Sequence, residues 1–177
     1  MVREICGIAA YAAGHWAEAA RELRAARRMS GSDELLPMIA DCERGLGRPE
    51  RALALASSTE AARLEDTQRI EMLIVASGAR RDLGQPDAAV VMLQVPELRA
   101  RTRAAWQLRL RYAYADALAA AGRTDEAAEW FERVESADRE GETDAANRLA
   151  ALRGDEPPTD PVEVDDPDGI VDLDEDA

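Results

Sequence analysis

Residues 13–26 read AGHWAEAARELRAA, which is a glycine, a short link and an alanine-rich amphipathic stretch. The pattern returns as LGRPERALALASST (46–59), LGQPDAAVVMLQVP (83–96) and AGRTDEAAEWFERV (121–134). Its glycines, which are Gly14, Gly47, Gly84 and Gly122, recur at spacings of 33, 37 and 38 residues. Superposing them aligns four alanines: Ala19, Ala52, Ala89 and Ala127. A recurrence of this length predicts an array of helical repeats.

Each unit predicts a helix, a tight turn and a second helix. Glycine just past a helix end adopts the left-handed conformation without a Cβ clash. Pro49 and Pro86, two residues after their glycines, suit the first turn of the next helix. We expect the aligned alanines to let the two backbones approach closely, while large residues such as Trp16 and Phe131 fill the space around them.

The chain resembles the tetratricopeptide repeat (TPR) family over residues 1–139. The first repeat matches its pattern at Gly7, Gly14, Trp16, Ala19, Leu23 and Ala26, and the fourth at Tyr114, Ala115, Leu118, Gly122, Ala127 and Phe131. The middle repeats depart from it, since Pro49 and Pro86 replace one aromatic and Glu43 and Arg80 another. Residues 36–53 and 110–131 also resemble TPR proteins of high-GC bacteria, a resemblance that implies no activity.

The predicted fold is all-α. Alanine supplies 36 of 177 residues and aromatic residues are only 4%, so helix propensity dominates over strand propensity. The resemblance implies an α-solenoid of about four repeats, at residues 1–32, 33–65, 66–99 and 100–139, followed by a terminal helix at 143–153. These form one domain, residues 1–153, and residues 154–177 form a separate tail.

The tail is strongly acidic. Residues 154–177 hold eleven Asp and Glu side chains, four prolines and no base, so we expect this segment to be disordered. Taking these eleven charges from the formal total of −14 leaves −3 for the rest of the chain. The tail lacks the ligand spacing of a calcium loop, and we expect no metal site. It is either a solubilising tail or a peptide that docks on a basic surface.

A basic segment lies at residues 99–111, with five arginines, no acid and Trp106, at the predicted start of the fourth repeat's first helix. Three uses of it remain open. It is a solvated helix face, a docking site for acidic residues at Arg99, Arg101 and Arg103, or a nucleic-acid contact. The net acidic body argues against nucleic acid, because nucleic-acid-binding domains normally carry a wide basic face.

No catalytic residue, cofactor or metal is expected. His15 is the only histidine, it lies in a turn, and no nucleophile is placed beside it by a recognisable motif. Cys6 and Cys42 occupy helix positions typical of small core residues, and no CxxC, HExxH or phosphate-binding glycine loop occurs.

The resemblance implies that the first helices of the repeats line a concave groove that binds a protein or peptide. The groove positions are Tyr11, Met38, Asp41, Arg44, Ile74, Arg81, Arg109, Tyr112 and Asp116. The Lys and Asn set with which some TPR proteins clamp a C-terminal carboxylate is absent at the matching places. Arg44, Arg81 and Arg109 are candidate anchors for a carboxylate-rich peptide. We expect a non-catalytic protein-interaction scaffold, and the alternative is a nucleic-acid-associated regulator that uses residues 99–111.

The first predicted helix begins without an N-cap residue, and terminal repeats normally need a polar covering surface. We therefore expect further polypeptide, a partner or self-association through Ile5, Ile8 and Trp16 to cover it. The apolar stretch at residues 5–13 is too short for a membrane span, and the two thiols suit a reducing compartment, so a cytoplasmic protein is expected.

Overall fold

The computed structural model describes residues 2–102 and 104–155, and over these residues the chain is helical without a β-strand. The all-α prediction is confirmed for this part of the chain. Its helices are α1 (Val2–Ala12), α2 (Trp16–Ser30), α3 (Leu36–Gly45), α4 (Pro49–Ala56), α5 (Asp66–Asp82), α6 (Pro86–Leu93), α7 (Ala105–Ala120), α8 (Thr124–Ala137) and α9 (Ala145–Arg153), with 3₁₀ turns at Ala61–Arg63 and Pro96–Arg99.

The four aligned glycines turn the chain in the same way. Their φ angles are 72°, 69°, 69° and 75°, in the left-handed region, as the sequence predicts. In each turn the residue after the glycine donates its N–H to the carbonyl five residues earlier, as Arg48 does to Glu43 at 2.9 Å. Because only three residues separate the two helices of each pair, they run antiparallel.

Small residues meet where the two helices of a pair cross. Ala19, Ala52, Ala89 and Ala127 are all 0% exposed. Twelve residues before them lie Gly7, Ala40, Ser77 and Ala115, which are also buried. The Ser77 hydroxyl donates to the Ala89 carbonyl at 3.4 Å, a direct contact between two such positions. The predicted close approach of the helices therefore occurs at these alanines.

The pairs stack in chain order. We call the first helix of each pair (α1, α3, α5, α7) an A helix and the second (α2, α4, α6, α8) a B helix. The later A helices pack against the preceding B helix, and α5 and α7 also pack against the preceding A helix. The helix α9 packs against α8 and takes the place of a fifth A helix. The largest core cluster surrounds Leu118 and Phe131, between α5 and α9.

The fourth A helix begins later than the sequence suggests. Only residues 105–111 of the basic segment are helical, and Arg99 belongs to the separate turn Pro96–Arg99. Thr102 accepts a hydrogen bond from the Ala104 N–H through its hydroxyl, and the buried Gln107 side chain donates to the Ala100 carbonyl. These side-chain contacts compete with helical hydrogen bonding, and Ala104, the residue directly before α7, is extended with φ −64° and ψ 135°.

The helix α9 ends at Gly154, whose φ is 75°, and the Asp155 N–H bonds to the Ala150 carbonyl at 2.9 Å. The acidic segment 156–177 lies outside the described residues, and so does the prediction of its disorder. No helix within residues 2–102 and 104–155 is long and apolar enough to cross a membrane.

Candidate functional site

The predicted groove residues all lie on A helices. Tyr11 is on α1, while Met38, Asp41 and Arg44 are on α3. Ile74 and Arg81 are on α5, and Arg109, Tyr112 and Asp116 are on α7. The polar members of this set are linked across neighbouring A helices by hydrogen bonds.

The first link joins α1 to α3. The Tyr11 hydroxyl donates to Asp41 Oδ2 at 2.6 Å, and Arg44 donates to Asp41 Oδ1 at 2.8 Å. Burial raises the pKa of Tyr11 well above its usual value, and the hydrogen bond to Asp41 raises it further. Tyr11 therefore acts here as a neutral hydrogen-bond donor.

The second link joins α3 to α5. Arg44 Nε donates to Asp82 Oδ2 at 2.8 Å, so one guanidinium bridges two carboxylates. To reach Asp82, the Arg44 side chain crosses Gly78, and a Cβ added at Gly78 would collide with its guanidinium group. The missing side chain at Gly78 leaves the space that the Arg44 guanidinium occupies.

The third and fourth links join α5 to α7 and α7 to α9. Asp116 accepts hydrogen bonds from Arg81 and from Arg148, and its side chain is only 14% exposed. Arg109 donates to Glu71 Oε1 at 2.5 and 3.1 Å. These contacts connect the A helices α5 and α7, and α7 to α9, through paired charges.

Tyr112 adds a second contact to α9. Its hydroxyl donates to Asp144, and its ring meets Phe131 edge-on at 5.5 Å between centroids. Burial and the hydrogen bond to Asp144 raise the pKa of Tyr112 above its usual value.

The links follow one register rule. A donor three residues before the turn glycine of one repeat reaches the position six residues before the turn glycine of the next. Tyr11 reaches Asp41 and Arg81 reaches Asp116 in this way, while Arg44 reaches Gly78 and continues to Asp82. We call this row of hydrogen-bonded side chains, from Tyr11 on α1 to Arg148 on α9, the polar ladder.

The two apolar groove candidates support the core instead. Met38 is half-buried against the N-terminal cluster, and Ile74 packs against the large C-terminal cluster. Of the nine predicted residues, the structure thus brings the seven polar ones into the ladder.

A cleft of about 580 Å³ lies beside the first half of the ladder. It is lined by Trp16, Asp41, Arg44, Gly45, Gly47, Pro49, Glu50 and Asp82. The Trp16 ring is half-buried, meets Tyr11 edge-on at 5.4 Å and lies against the backbone of Gly45. The cleft therefore offers an aromatic surface next to both signs of charge.

Sequence reasoning missed the ladder's partner residues, which are Glu71, Asp82, Asp144 and Arg148. One signal was available, because Glu71 and Arg109 both lie thirteen residues before their turn glycines and carry opposite charges. It also missed a buried carboxylate at Glu43, 3% exposed, which contacts Arg24 and has Arg48 Nη1 at 3.6 Å. This charge cluster lies between α2, α3 and α4.

The prediction of two core cysteines is half right. Cys42 is buried, and burial together with the nearby Asp41 charge raises its pKa to about 11. Cys6 is exposed, which corrects the prediction. Its register equivalents in the later A helices, Ile39, Ala76 and Tyr114, are covered by the preceding pair, and the described residues contain no pair before α1.

The same open side exposes apolar side chains near the N-terminus. Val2, Ile5, Ile8 and Met29 are 76%, 61%, 43% and 75% exposed. Trp16, the third residue expected to mediate self-association, is engaged with Tyr11 and Gly45 within the chain.

The arginines of the basic segment lie on different sides of the molecule. Arg109 joins the polar ladder, whereas Arg99 and Arg111 line a separate cleft with Trp130. Arg101 is exposed, and Arg103 lies outside the described residues. No group of three or more His, Cys, Asp or Glu side chains suited to a metal ion occurs within the described part of the chain.

A comparison with protein-family models finds none that matches this chain, and a comparison with curated proteins finds no similar sequence.

Proposed function

We propose that the chain is a non-catalytic protein-interaction scaffold, a TPR-like solenoid that binds a peptide or a partner helix along the polar ladder. The observation that carries this proposal is the row of links between successive helices, to which four A helices and α9 contribute polar side chains. A row of oriented donors and acceptors on stacked helices can contact an extended ligand at several points along its length.

The pairing within the ladder determines the ligand chemistry. Arg44, Arg81 and Arg109 each have an acidic partner from a neighbouring helix, so their charges are largely offset. A carboxylate-rich peptide would have to displace these internal acids. A peptide of mixed charge, with both donors and acceptors, can instead add to the ladder without breaking it, and we propose this class of ligand.

The Trp16 cleft supplies an anchor point for such a peptide. Aromatic and arginine side chains are enriched among the residues that contribute most to binding energy, and here Trp16 and Arg44 line one cleft. We propose that an apolar residue or a proline of the ligand packs in this cleft, beside Pro49.

The nucleic-acid alternative has less support. Binding along a phosphate backbone needs a wide basic face rather than a single cleft. Arg109 points to Glu71 on α5, whereas Arg111 lies near the Ala100 carbonyl at 3.3 Å in a different cleft. The basic segment therefore presents two separate groups of charge rather than one continuous surface.

Peptide-library selection against the full chain tests the proposal. Selected peptides are then titrated into two variants that differ only in which arginine is lost. Arg44→Gln removes a ladder residue. Arg123→Gln removes an exposed arginine that pairs with Glu126 at the start of α8, away from the ladder. We expect Arg44→Gln to weaken binding by about tenfold or more and Arg123→Gln to leave it unchanged.

Circular dichroism melting of both variants checks that they remain folded. If the selected peptides bind the two variants equally well, or if selection enriches no peptide, the ladder is not a peptide-binding site.

A further inference from the structure

A second basic cleft lies away from the polar ladder, between the start of α7 and α8. It has a volume of about 500 Å³, and its lining includes Leu98, Arg99, Arg111, Trp130, Glu132 and Arg133. We call it the Arg99–Arg111 cleft. It combines three guanidinium groups with two apolar side chains in a chain whose net charge is −14.

The arginines of this cleft are not neutralised as those of the ladder are. None of the ion pairs among the described residues, from Arg3–Glu22 to Arg153–Glu132, involves Arg99 or Arg111, and Arg111 donates to the Ala100 carbonyl. Arg133 lies over the Trp130 ring at 4.6 Å and has one distant acid, Glu129, at 3.8 Å. Within the described part of the chain, Arg99 and Arg111 of this cleft therefore carry positive charge that no ion pair offsets.

A cleft of similar size that is also lined by three arginines is different. It is lined by Arg24, Arg27 and Arg28 together with Asp33. Arg24 contacts Glu43 and Arg27 Nη2 lies 2.6 Å from Asp33, so two of its three guanidiniums are already paired. It also belongs to the N-terminal half of the chain.

The described chain ends beside the Arg99–Arg111 cleft. Arg153, the last residue of α9, contacts Glu132, which lines that cleft. The segment 156–177 begins three residues after Arg153, and it carries ten acids and no base. Five residues of extended chain span at most about 18 Å, which is the reach of Asp160 from Asp155, and the later acids of the segment reach further.

We propose that the Arg99–Arg111 cleft is the docking site of the acidic segment 156–177 of the same chain. Carboxylates of the segment pair with Arg99, Arg111 and Arg133, and its apolar residues, such as Ile170 and Leu173, lie against Leu98 and Trp130. The tether gives the segment an effective concentration on the order of 1 mM, so even a weak contact is populated. The docked segment covers the cleft and competes with any acidic partner for it.

Zero-length crosslinking tests this contact in the full chain. The sequence contains no lysine, so Arg99→Lys or Arg111→Lys introduces the only side-chain amine while it keeps the positive charge. A carbodiimide joins that amine to a neighbouring carboxylate as an amide. Trypsin cuts after Arg153 and releases residues 154–177 as one peptide, so a crosslinked tail is identified directly by mass spectrometry.

The matched control is Arg63→Lys. Arg63 is exposed, has no ion pair with a described acid and lies in the turn Ala61–Arg63, between α4 and α5. We expect intramolecular crosslinks from position 99 or 111 to residues 156–177 at about tenfold the yield of the control at low salt. They should fall towards the control at about 1 M salt, where the screening length is about 3 Å.

Yields equal to the Arg63→Lys control, or tail crosslinks found only in covalent dimers, would overturn docking within one chain. A second measurement uses a labelled synthetic peptide of residues 156–177. It is titrated into the wild-type full chain and into a full chain with Asp165, Asp166, Asp168 and Asp172 replaced by Asn.

Because the tethered segment competes with the peptide, we expect the neutralised chain to bind the peptide about tenfold more tightly at low salt. Arg99→Gln in the neutralised chain should remove most of this binding. If the peptide binds the wild-type chain and the neutralised chain with equal affinity, the proposal is contradicted.

Discussion

Trp16 and Arg44 both lie where an A helix has a glycine in place of a side chain. The indole packs on Gly45 of α3, and the guanidinium packs on Gly78 of α5. The two glycines have the same geometric role but face different neighbours. The ring is rigid and held by Tyr11, whereas the guanidinium is the end of a flexible side chain.

This difference predicts opposite outcomes for one substitution. In Gly45→Ala the new Cβ would lie 2.5 Å from the indole, so Trp16 must move, and we expect a loss of about 1 to 3 kcal/mol. In Gly78→Ala the guanidinium can swing away, and the gain in helix propensity of up to about 1 kcal/mol offsets the lost contact. Urea unfolding measures both variants. Equal destabilisation of the two would contradict the role of side-chain flexibility.

Cys42, Tyr11 and Tyr112 have a raised pKa in the folded chain, and this predicts a loss of stability at alkaline pH. Burial raises the pKa of Cys42 to about 11 from 9.0, and burial together with an aspartate partner raises the pKa of Tyr11 and of Tyr112. The unfolded chain ionises at the ordinary values while the folded chain stays protonated. This stabilisation is complete below about pH 9 and is lost as the pH rises, at up to about 1.4 kcal/mol per pH unit for each group.

Unfolding by urea in reducing buffer, between neutral pH and about pH 11, measures the decline. Cys42→Ala and Tyr11→Phe should each make it shallower. Arg63→Lys, a change at an exposed turn, serves as the control and should leave the slope as in the wild type. If stability is constant over this range, these protons are not held by the fold.

At the scale of the helix pair, packing depends on the small residues at the crossing point. Ala89 is 0% exposed and its carbonyl accepts the Ser77 hydroxyl, so the backbones of α5 and α6 are in contact there. Ala88, its neighbour in the same helix, is exposed. The same substitution at Ala88 and at Ala89 therefore distinguishes an effect on close packing from an effect on helix propensity.

We expect Ala89→Leu to overpack the pair and to cost about 1 to 3 kcal/mol, and Ala127→Leu to do the same in the fourth pair. Ala88→Leu should change the stability by less than about 0.5 kcal/mol, because its side chain reaches solvent. Thermal unfolding followed by circular dichroism measures all three. A neutral Ala89→Leu would show that the helices have room at their crossing.

At the scale of the whole molecule, stability should vary along the stack, because each pair is held by its neighbours. The helix α5 packs against α3, α4, α6 and α7, whereas α1 packs mainly against α2. Helix α1 also exposes Val2, Ile5 and Ile8. The N-terminal end of the stack should therefore open more often than its centre.

Hydrogen exchange tests this gradient, and amides of α1 should exchange about tenfold or more faster than those of α5. If the exposed face of α1 binds a second copy, protection of α1 will rise with protein concentration. Ile5→Ser should then abolish the rise, while Val91→Ser, a similar change at a residue 68% exposed on α6, should not. Uniform exchange along the stack would contradict a nearest-neighbour arrangement.

The sequence alone determined the helices, their pairing and the positions of the turns. These features follow from local physics, since the left-handed glycines, the N-terminal prolines and the spacing of alanines act within about twenty residues of chain. The buried Ala127 and the turn at Gly84 were predicted for this reason. The sequence also predicted which A-helix residues share one face, because that depends only on helical periodicity.

Only the tertiary structure decided which charges meet. The Arg44 side chain crosses Gly78 and binds Asp82, and Asp116 accepts hydrogen bonds from two arginines. These pairings depend on the distances between stacked A helices, which no local sequence pattern contains. The same stacking buries Cys42 against α1 and α2, whereas no pair among the described residues precedes α1 and Cys6 is exposed. It also leaves Arg99 without an acidic partner among the described residues while Arg109 pairs with Glu71, because the two arginines of one basic segment face different neighbours.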